Sequence, residues 1–200
     1  VIDGVAADSF AGTVVGAAAD VNGDGYDDIL VTAWKYLART LESGTVFVLY
    51  GRADFAAKID LKTLSAANGL RIEGIATGDG AGQSAAAGDV NGDGRSDVVI
   101  GAPFAADHNG EAYVVFGLAS PPSVVDLDAL NGSNGFRLTS GEANGGAGTA
   151  VAAADVNGDG RDDVIIGAAT AGSGSTRFAG RAYVVFGRPT FGATQRRLRR

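Results

Sequence analysis

One loop-and-strand pattern occurs three times in this chain, and that recurrence limits the fold more than any other feature. "ADVNGDGYDDILVTA" begins at Ala19, "GDVNGDGRSDVVIGAP" at Gly88 and "ADVNGDGRDDVIIGAA" at Ala154. The leading aspartates, Asp20, Asp89 and Asp155, are spaced by 69 and then 66 residues. The flanks repeat as well. A stretch of small residues precedes each copy ("FAGTVVGAAAD", "GAGQSAAAGD", "GAGTAVAAAD"), and an aromatic run ending in glycine follows it ("GTVFVLYG", "EAYVVFG", "RAYVVFG"). Linking segments, "KIDLKTLSAANGLRIEG" and "VVDLDALNGSNGFRLTSG", join the units. The repeats divide at about 1–54, 55–120 and 121–191, with a basic tail at 192–200.

The pattern within a unit is β. "DDILVTA", "SDVVIGA" and "DDVIIGA" are short apolar runs between Asp/Gly turns and suit strands buried on both faces. The aromatic runs carry the residues that strands favour. The linking segments end in a further strand, "LRIEG" or "FRLTS", after what reads as a single helical turn. The small-residue stretches contain too many glycines for helix, at a cost of about 1 kcal/mol each. That makes about four strands per unit. The chain's 32 glycines fit the many tight turns such a fold needs. A four-stranded, all-β unit of this length in tandem is what a β-propeller blade should look like.

Each repeated loop places side-chain oxygens at positions 1, 3, 5 and 9. The sets are Asp20, Asn22, Asp24 and Asp28; Asp89, Asn91, Asp93 and Asp97; and Asp155, Asn157, Asp159 and Asp163. Position 7 is Tyr26, Arg95 or Arg161, so only its backbone carbonyl can serve as a ligand. Four side chains, a carbonyl and a water give the six to eight oxygens that calcium prefers. Position 6 is Gly25, Gly94 or Gly160, where the chain must turn sharply. A plain Asn-Gly or Asp-Gly turn needs no metal. It also needs no more than one such side chain, whereas three close carboxylates resist joint ionisation unless a cation balances them. The expectation is three Ca²⁺ sites. An EF-hand or dockerin loop is excluded because position 12 is Val31, Ile100 or Ile166, in an apolar strand where those loops carry an acidic residue.

The run "GDVNGDGRSDVVIGAP" followed by "AYVVFG" resembles the FG-GAP repeat, with Phe116-Gly117 and Gly101-Ala102-Pro103 in the naming positions. The resemblance implies the seven-bladed propeller of integrin α subunits and of many bacterial surface and secreted proteins, in which a loop of this pattern binds calcium in a hairpin between strands of a blade. "TAW" (Thr32 to Trp34), "GAA" (Gly167 to Ala169) and "YG" (Tyr50-Gly51) depart from the pattern at strand ends, not at ligands. Closed propellers have about four to eight blades. Three should leave two open apolar faces, so the chain is expected to be part of a larger ring or to be completed by self-association. The opening "VIDG" matches the end of a linking segment, which favours the former.

Composition narrows the function. A net charge of −7 disfavours nucleic acid, and the terminal "RRLRR" reads as a solvated tail or a junction. Cysteine is absent, which rules out thiol chemistry and disulfides. No apolar run reaches the ~20 residues of a membrane-spanning helix. The sole histidine, His108, sits in a surface-loop sequence, so catalysis has little to work with. Asp27 and Asp162, at position 8, read as solvated, and Trp34 as core. The resulting expectation is a non-catalytic, extracellular, calcium-stabilised propeller segment that displays loops for protein or glycan binding. The variable loops are Trp34–Ser43, Pro103–Glu111 and Ala169–Gly180. The alternative is an accessory propeller of a secreted hydrolase.

Overall fold

The computed structural model describes residues 1–35, 43–55, 57–172, 178–192 and 196–198. Its fifteen strands are β1 (Ile2–Asp3), β2 (Val15–Ala19), β3 (Asp28–Ala33), β4 (Thr45–Leu49), β5 (Ile59–Asp60), β6 (Gly69–Glu73), β7 (Ser84–Gly88), β8 (Asp97–Ala102), β9 (Glu111–Val115), β10 (Val124–Asp126), β11 (Gly135–Thr139), β12 (Ala147–Ala154), β13 (Asp163–Ala168), β14 (Arg181–Val185) and β15 (Arg196–Arg197). The small-residue stretch, the post-loop run and the aromatic run of each repeat form an antiparallel meander: β2-β3-β4, β7-β8-β9 and β12-β13-β14. These are propeller blades.

The fourth strand of a blade comes from the next repeat. β6 closes the first blade against β4, and β11 closes the second against β9. Each sheet therefore crosses a repeat boundary, which fastens successive units together. The following linking segment adds a short parallel strand outside: β5 on β1, β10 on β6 and β15 on β11. After β5 and β10 come the single helical turns, Leu61–Thr63 and Leu127–Ala129, capped by the carboxylates of Asp60 and Asp126. Leu61, Leu127 and Leu198 follow in equivalent places, and all three are buried.

Two expectations change here. The third sheet has three strands, not four, among the described residues. The segment after it contributes β15 to the second blade instead. For the same reason "RRLRR" is not simply a solvated tail: Arg196–Arg197 pair with β11, the Leu198 N–H donates to the Thr139 carbonyl, and the Leu198 side chain joins the apolar layer.

Blades stack face to face. One face of blade 1, with Leu30, Val46, Val48 and Tyr50, packs on Val98, Ile100, Tyr113 and Val115 of blade 2. The opposite face of blade 2, with Val99, Val114 and Phe116, packs on Val164, Ile166 and Tyr183 of blade 3. Alternation along each strand supplies a face to each neighbour, which is why these runs are apolar throughout. The inner strands need small residues because blades approach closely there. A Cβ on Gly101 would lie 2.1 Å from the Gly148 carbonyl oxygen of the next blade.

The expectation of two open faces is half right. On blade 1, Val31, Phe47 and Leu49 are buried in a cluster with Val5 and Leu61, from the first fourteen residues and the first linking segment. Among the described residues, the uncovered apolar face is that of blade 3, where Val184 is 47% and Phe186 57% exposed.

Candidate functional site

The acidic loops lie between the first and second strands of each blade, all at one end of the stack. In loop 1, Asp20 Oδ1 accepts the N–H groups of Gly23 (2.6 Å) and Asp24 (3.0 Å), and Oδ2 accepts that of Gly25 (2.8 Å). Asn22 Oδ1 accepts from Asp24 N–H, and Asp24 Oδ1 from Tyr26 N–H. Asp89, Asn91 and Asp93 repeat the pattern in loop 2, as do Asp155, Asn157 and Asp159 in loop 3. Gly25, Gly94 and Gly160 have φ of 88°, 85° and 85°, the left-handed conformation that glycine allows without strain.

Position 9 is different in kind. Asp28, Asp97 and Asp163 open the second strand and are at most 1% exposed. One oxygen of each accepts from the residue after position 1 (Val21, Val90 or Val156). The other accepts from the glycine ending the aromatic run (Gly51, Gly117 or Gly187). The final glycine of the "FG" pair thus ties the loop to the third strand. Burial pushes the Asp28 carboxyl up to about 6 and that of Asp97 to about 7, with the other loop carboxylates adding to the rise.

Among the described residues, no three His, Cys, Asp or Glu side chains converge as a formed metal site would require. The loop oxygens are turned onto backbone amides. The donor chemistry nonetheless fits calcium. Each loop offers hard oxygen ligands, three of its four side chains are carboxylates, and the position 1 Oδ2, which accepts a single N–H, keeps a second lone pair. The carbonyls of Tyr26, Arg95 and Arg161 lie within the same nine-residue spans.

Two loop residues have roles that sequence reasoning missed. Asp162 is not a free solvated acid: its Oδ2 accepts the Asp89 N–H of the preceding loop at 2.8 Å. Ser96, at the same position in loop 2, is buried, and its N–H donates to the Asp20 carbonyl. Asp27 is exposed, as expected. The side chains at position 7 also bridge loops. Arg95 lies against Gly23 of loop 1, and Arg161 against Gly92 of loop 2. Spacing within one loop cannot reveal contacts between loops; only the glycines at position 4 hint at them.

The described parts of the variable loops lie at the opposite end of the blades. Residues 36–42 and 173–177 of two of them fall outside the described residues. The second loop, the described ends of the third and the 140–146 connection line a cavity of about 420 Å³, with Phe104, His108, Asn144, Thr170, Phe178 and Gln83 in its walls, among others. Its walls are joined by hydrogen bonds. Asn144 N–H donates to Asn109 Oδ1 at 2.9 Å, and the Thr170 hydroxyl donates to the Asn144 carbonyl at 2.6 Å. His108 is exposed and edge-on to Phe104. Left-handed backbone at Ala106, Asp107, His108, Asn144 and Phe178 gathers around this cavity. Trp34 is not core: it is half-buried against Phe10, with the Lys35 ammonium 5.2 Å from its ring centre.

The loop, strand and glycine geometry recurs over the three segments matched by the FG-GAP repeat model, residues 11–49, 81–115 and 147–185. The chain belongs to the FG-GAP repeat family. Its relatives include the phosphatidylinositol-glycan-specific phospholipase D of Bos taurus, 32% identical over 161 residues that cover 78% of this chain and 18% of that protein. The Rattus norvegicus protein of the same name is 31% identical over 155 residues, covering 75% and 17%. Integrin alpha pat-2 of Caenorhabditis elegans is 30% identical over 183 residues, covering 78% and 13%. The FG-GAP chain spans less than a fifth of the length of these relatives. Among its described residues, no helix is long and apolar enough to cross a membrane.

Proposed function

We propose that this FG-GAP chain is a non-catalytic, extracellular propeller segment that uses structural calcium in its three acidic loops and presents its opposite end to a protein or glycan. The observation that carries the calcium reading is the placement of one oxygen set, three carboxylates and an amide, at the same point of three blades. When bound, the ion supplies charge balance for carboxylates crowded together and partly withdrawn from water. Asp20, Asn22, Asp24 and Asp28, with their counterparts in loops 2 and 3, would hold it. Weak sites of this class fill at the millimolar calcium found outside cells, which supports the extracellular placement. Isothermal titration of the chelator-treated chain tests this: three equivalents of calcium are expected, and no heat at millimolar calcium would remove the reading.

The ligand end is supported by the cavity between blades 2 and 3, where aromatic rings and uncharged polar groups converge from three connections. A second reading, an accessory propeller of a secreted hydrolase, is favoured by the similarity to the phospholipase D relatives. A flanking catalytic domain in the full reading frame would decide for it. The open face of blade 3 adds self-association. Sedimentation equilibrium should show concentration-dependent assembly that Phe186→Ser weakens, and a strictly monomeric chain would overturn this.

A further inference from the structure

The three acidic loops have the same ligand residues but not the same surroundings. Loop 1, from Asp20 to Asp28, contains four carboxylates and no cation. Loop 2, from Asp89 to Asp97, contains three carboxylates and Arg95. Loop 3, from Asp155 to Asp163, contains four carboxylates and Arg161. Their formal charges by sequence are −4, −2 and −3. The Asp162 carboxylate of loop 3 lies on the Asp89 N–H of loop 2, so charge sets loop 1 apart from the other two but does not separate loop 2 from loop 3.

What separates loops 2 and 3 is how closely each arginine holds its position 5 carboxylate. The Arg95 guanidinium lies on its own loop's position 5, with Nη2 2.8 Å from Asp93 Oδ2, while its Nε reaches toward the Gly117 carbonyl at 3.4 Å. Arg161 sits more loosely, Nη1 3.7 Å from Asp159 Oδ1. Each arginine also reaches back over the preceding loop. A Cβ on Gly23 would come within 3.3 Å of Arg95 Cδ, and one on Gly92 within 2.8 Å of Arg161 Nε. Gly158, the same position in loop 3, has nothing within 4 Å. Among the described residues, loop 2 is therefore the only one of the three that both contains an arginine and lies under one. Tyr26, at position 7 of loop 1, brings no charge and is 47% exposed.

We infer that the residue at position 7 ranks the three loops for cation binding, with loop 1 tightest, loop 3 intermediate and loop 2 weakest. This rests on the calcium reading above. Arg95 and Arg161 act as positioning residues. A guanidinium on the position 5 carboxylate competes with an incoming cation for that ligand and lowers the field that attracts it, while its stem holds the neighbouring loop in place. A charge at this distance near the surface changes binding by about three- to tenfold at low salt. The ranking should narrow as ionic strength rises.

The test is a calcium titration of the 200-residue chain at low salt, followed by NMR at the amides of Gly25, Gly94 and Gly160. Each of these amides donates to the position 1 carboxylate of its own loop. The expected midpoints rise in the order Gly25, Gly160, Gly94, with at least about a threefold separation between first and last. Arg95→Gln should move the Gly94 midpoint to lower calcium. Tyr26→Arg, at an exposed site that should leave folding intact, should move the Gly25 midpoint to higher calcium. A purely structural role for Arg95 could weaken its loop on substitution but not tighten it. Coincident midpoints, or variants that leave them unmoved, overturn the ranking and leave the calcium reading standing. If no glycine shifts, both fall.

Discussion

The hexapeptide "AYVVFG" occurs twice, at Ala112–Gly117 and Ala182–Gly187, in two environments. In blade 2 it is buried throughout, with Val114 0% and Phe116 8% exposed. In blade 3 the same side chains face outward, with Val184 at 47% and Phe186 at 57%. Tyr113 and Tyr183, which point the other way, are buried in both, at 1% and 7%. Local sequence therefore sets which face each side chain takes, and the neighbouring blade decides whether that face is dry. The energetic worth of these residues belongs to the stack, not to the strand.

Four experiments probe that contrast, in falling order of expected effect. Val114→Asp buries a charge with no partner and should cost more than about 4 kcal/mol, enough to unfold the chain. Val184→Asp should change urea stability by no more than about 0.5 kcal/mol. Equal losses would mean the open face is covered in solution, and the self-association reading would gain directly.

Next is removal of calcium. With a dissociation constant of about 10⁻⁴ M and ~2 mM calcium, each site adds roughly 1.8 kcal/mol, about 5 kcal/mol over three. Chelator should lower the melting temperature markedly, and blades 2 and 3 should lose hydrogen-exchange protection together because their loops are joined through Asp162. An unchanged melting curve would count against structural calcium. Phe116→Ala should then cost about 3 kcal/mol by leaving a cavity beside Phe136 and Phe191, its ring neighbours at 5.8 Å, against less than about 1 kcal/mol for Phe186→Ala. Smallest is Asp162→Ala, expected to cost about 1–2 kcal/mol because it strands the Asp89 N–H, whereas Asp27→Ala at the exposed equivalent in loop 1 should be silent in the same denaturation assay.

Much of the fold was legible because it repeats. Three copies of Asp-x-Asn-x-Asp-Gly located the hairpins, and the apolar runs after them located the second strands. The helical turns in the linking segments also appeared where "DLK" and "DLD" placed them, since Asp60 and Asp126 cap them locally. Contacts between units were not legible. Nothing in "RRLRR" marks Leu198 as the counterpart of Leu61 and Leu127 until β15 is seen beside β11. Asp162 and Asp27 are the same residue at the same loop position, yet Asp162 accepts an N–H of another loop and Asp27 is exposed. Trp34 looked like core by its size alone.

The sequence by itself determined the repeat, the strand periodicity, the turn positions and the set of oxygens each loop can offer. These depend on residues a few positions apart, where backbone sterics and alternation act. The tertiary structure decided which blade faces are covered, which arginine lies over which loop and which acid is a latch. Those outcomes depend on what lies across a gap of some 66 to 73 residues. Identical segments answer that question differently because burial is a property of the pair of surfaces, not of either one.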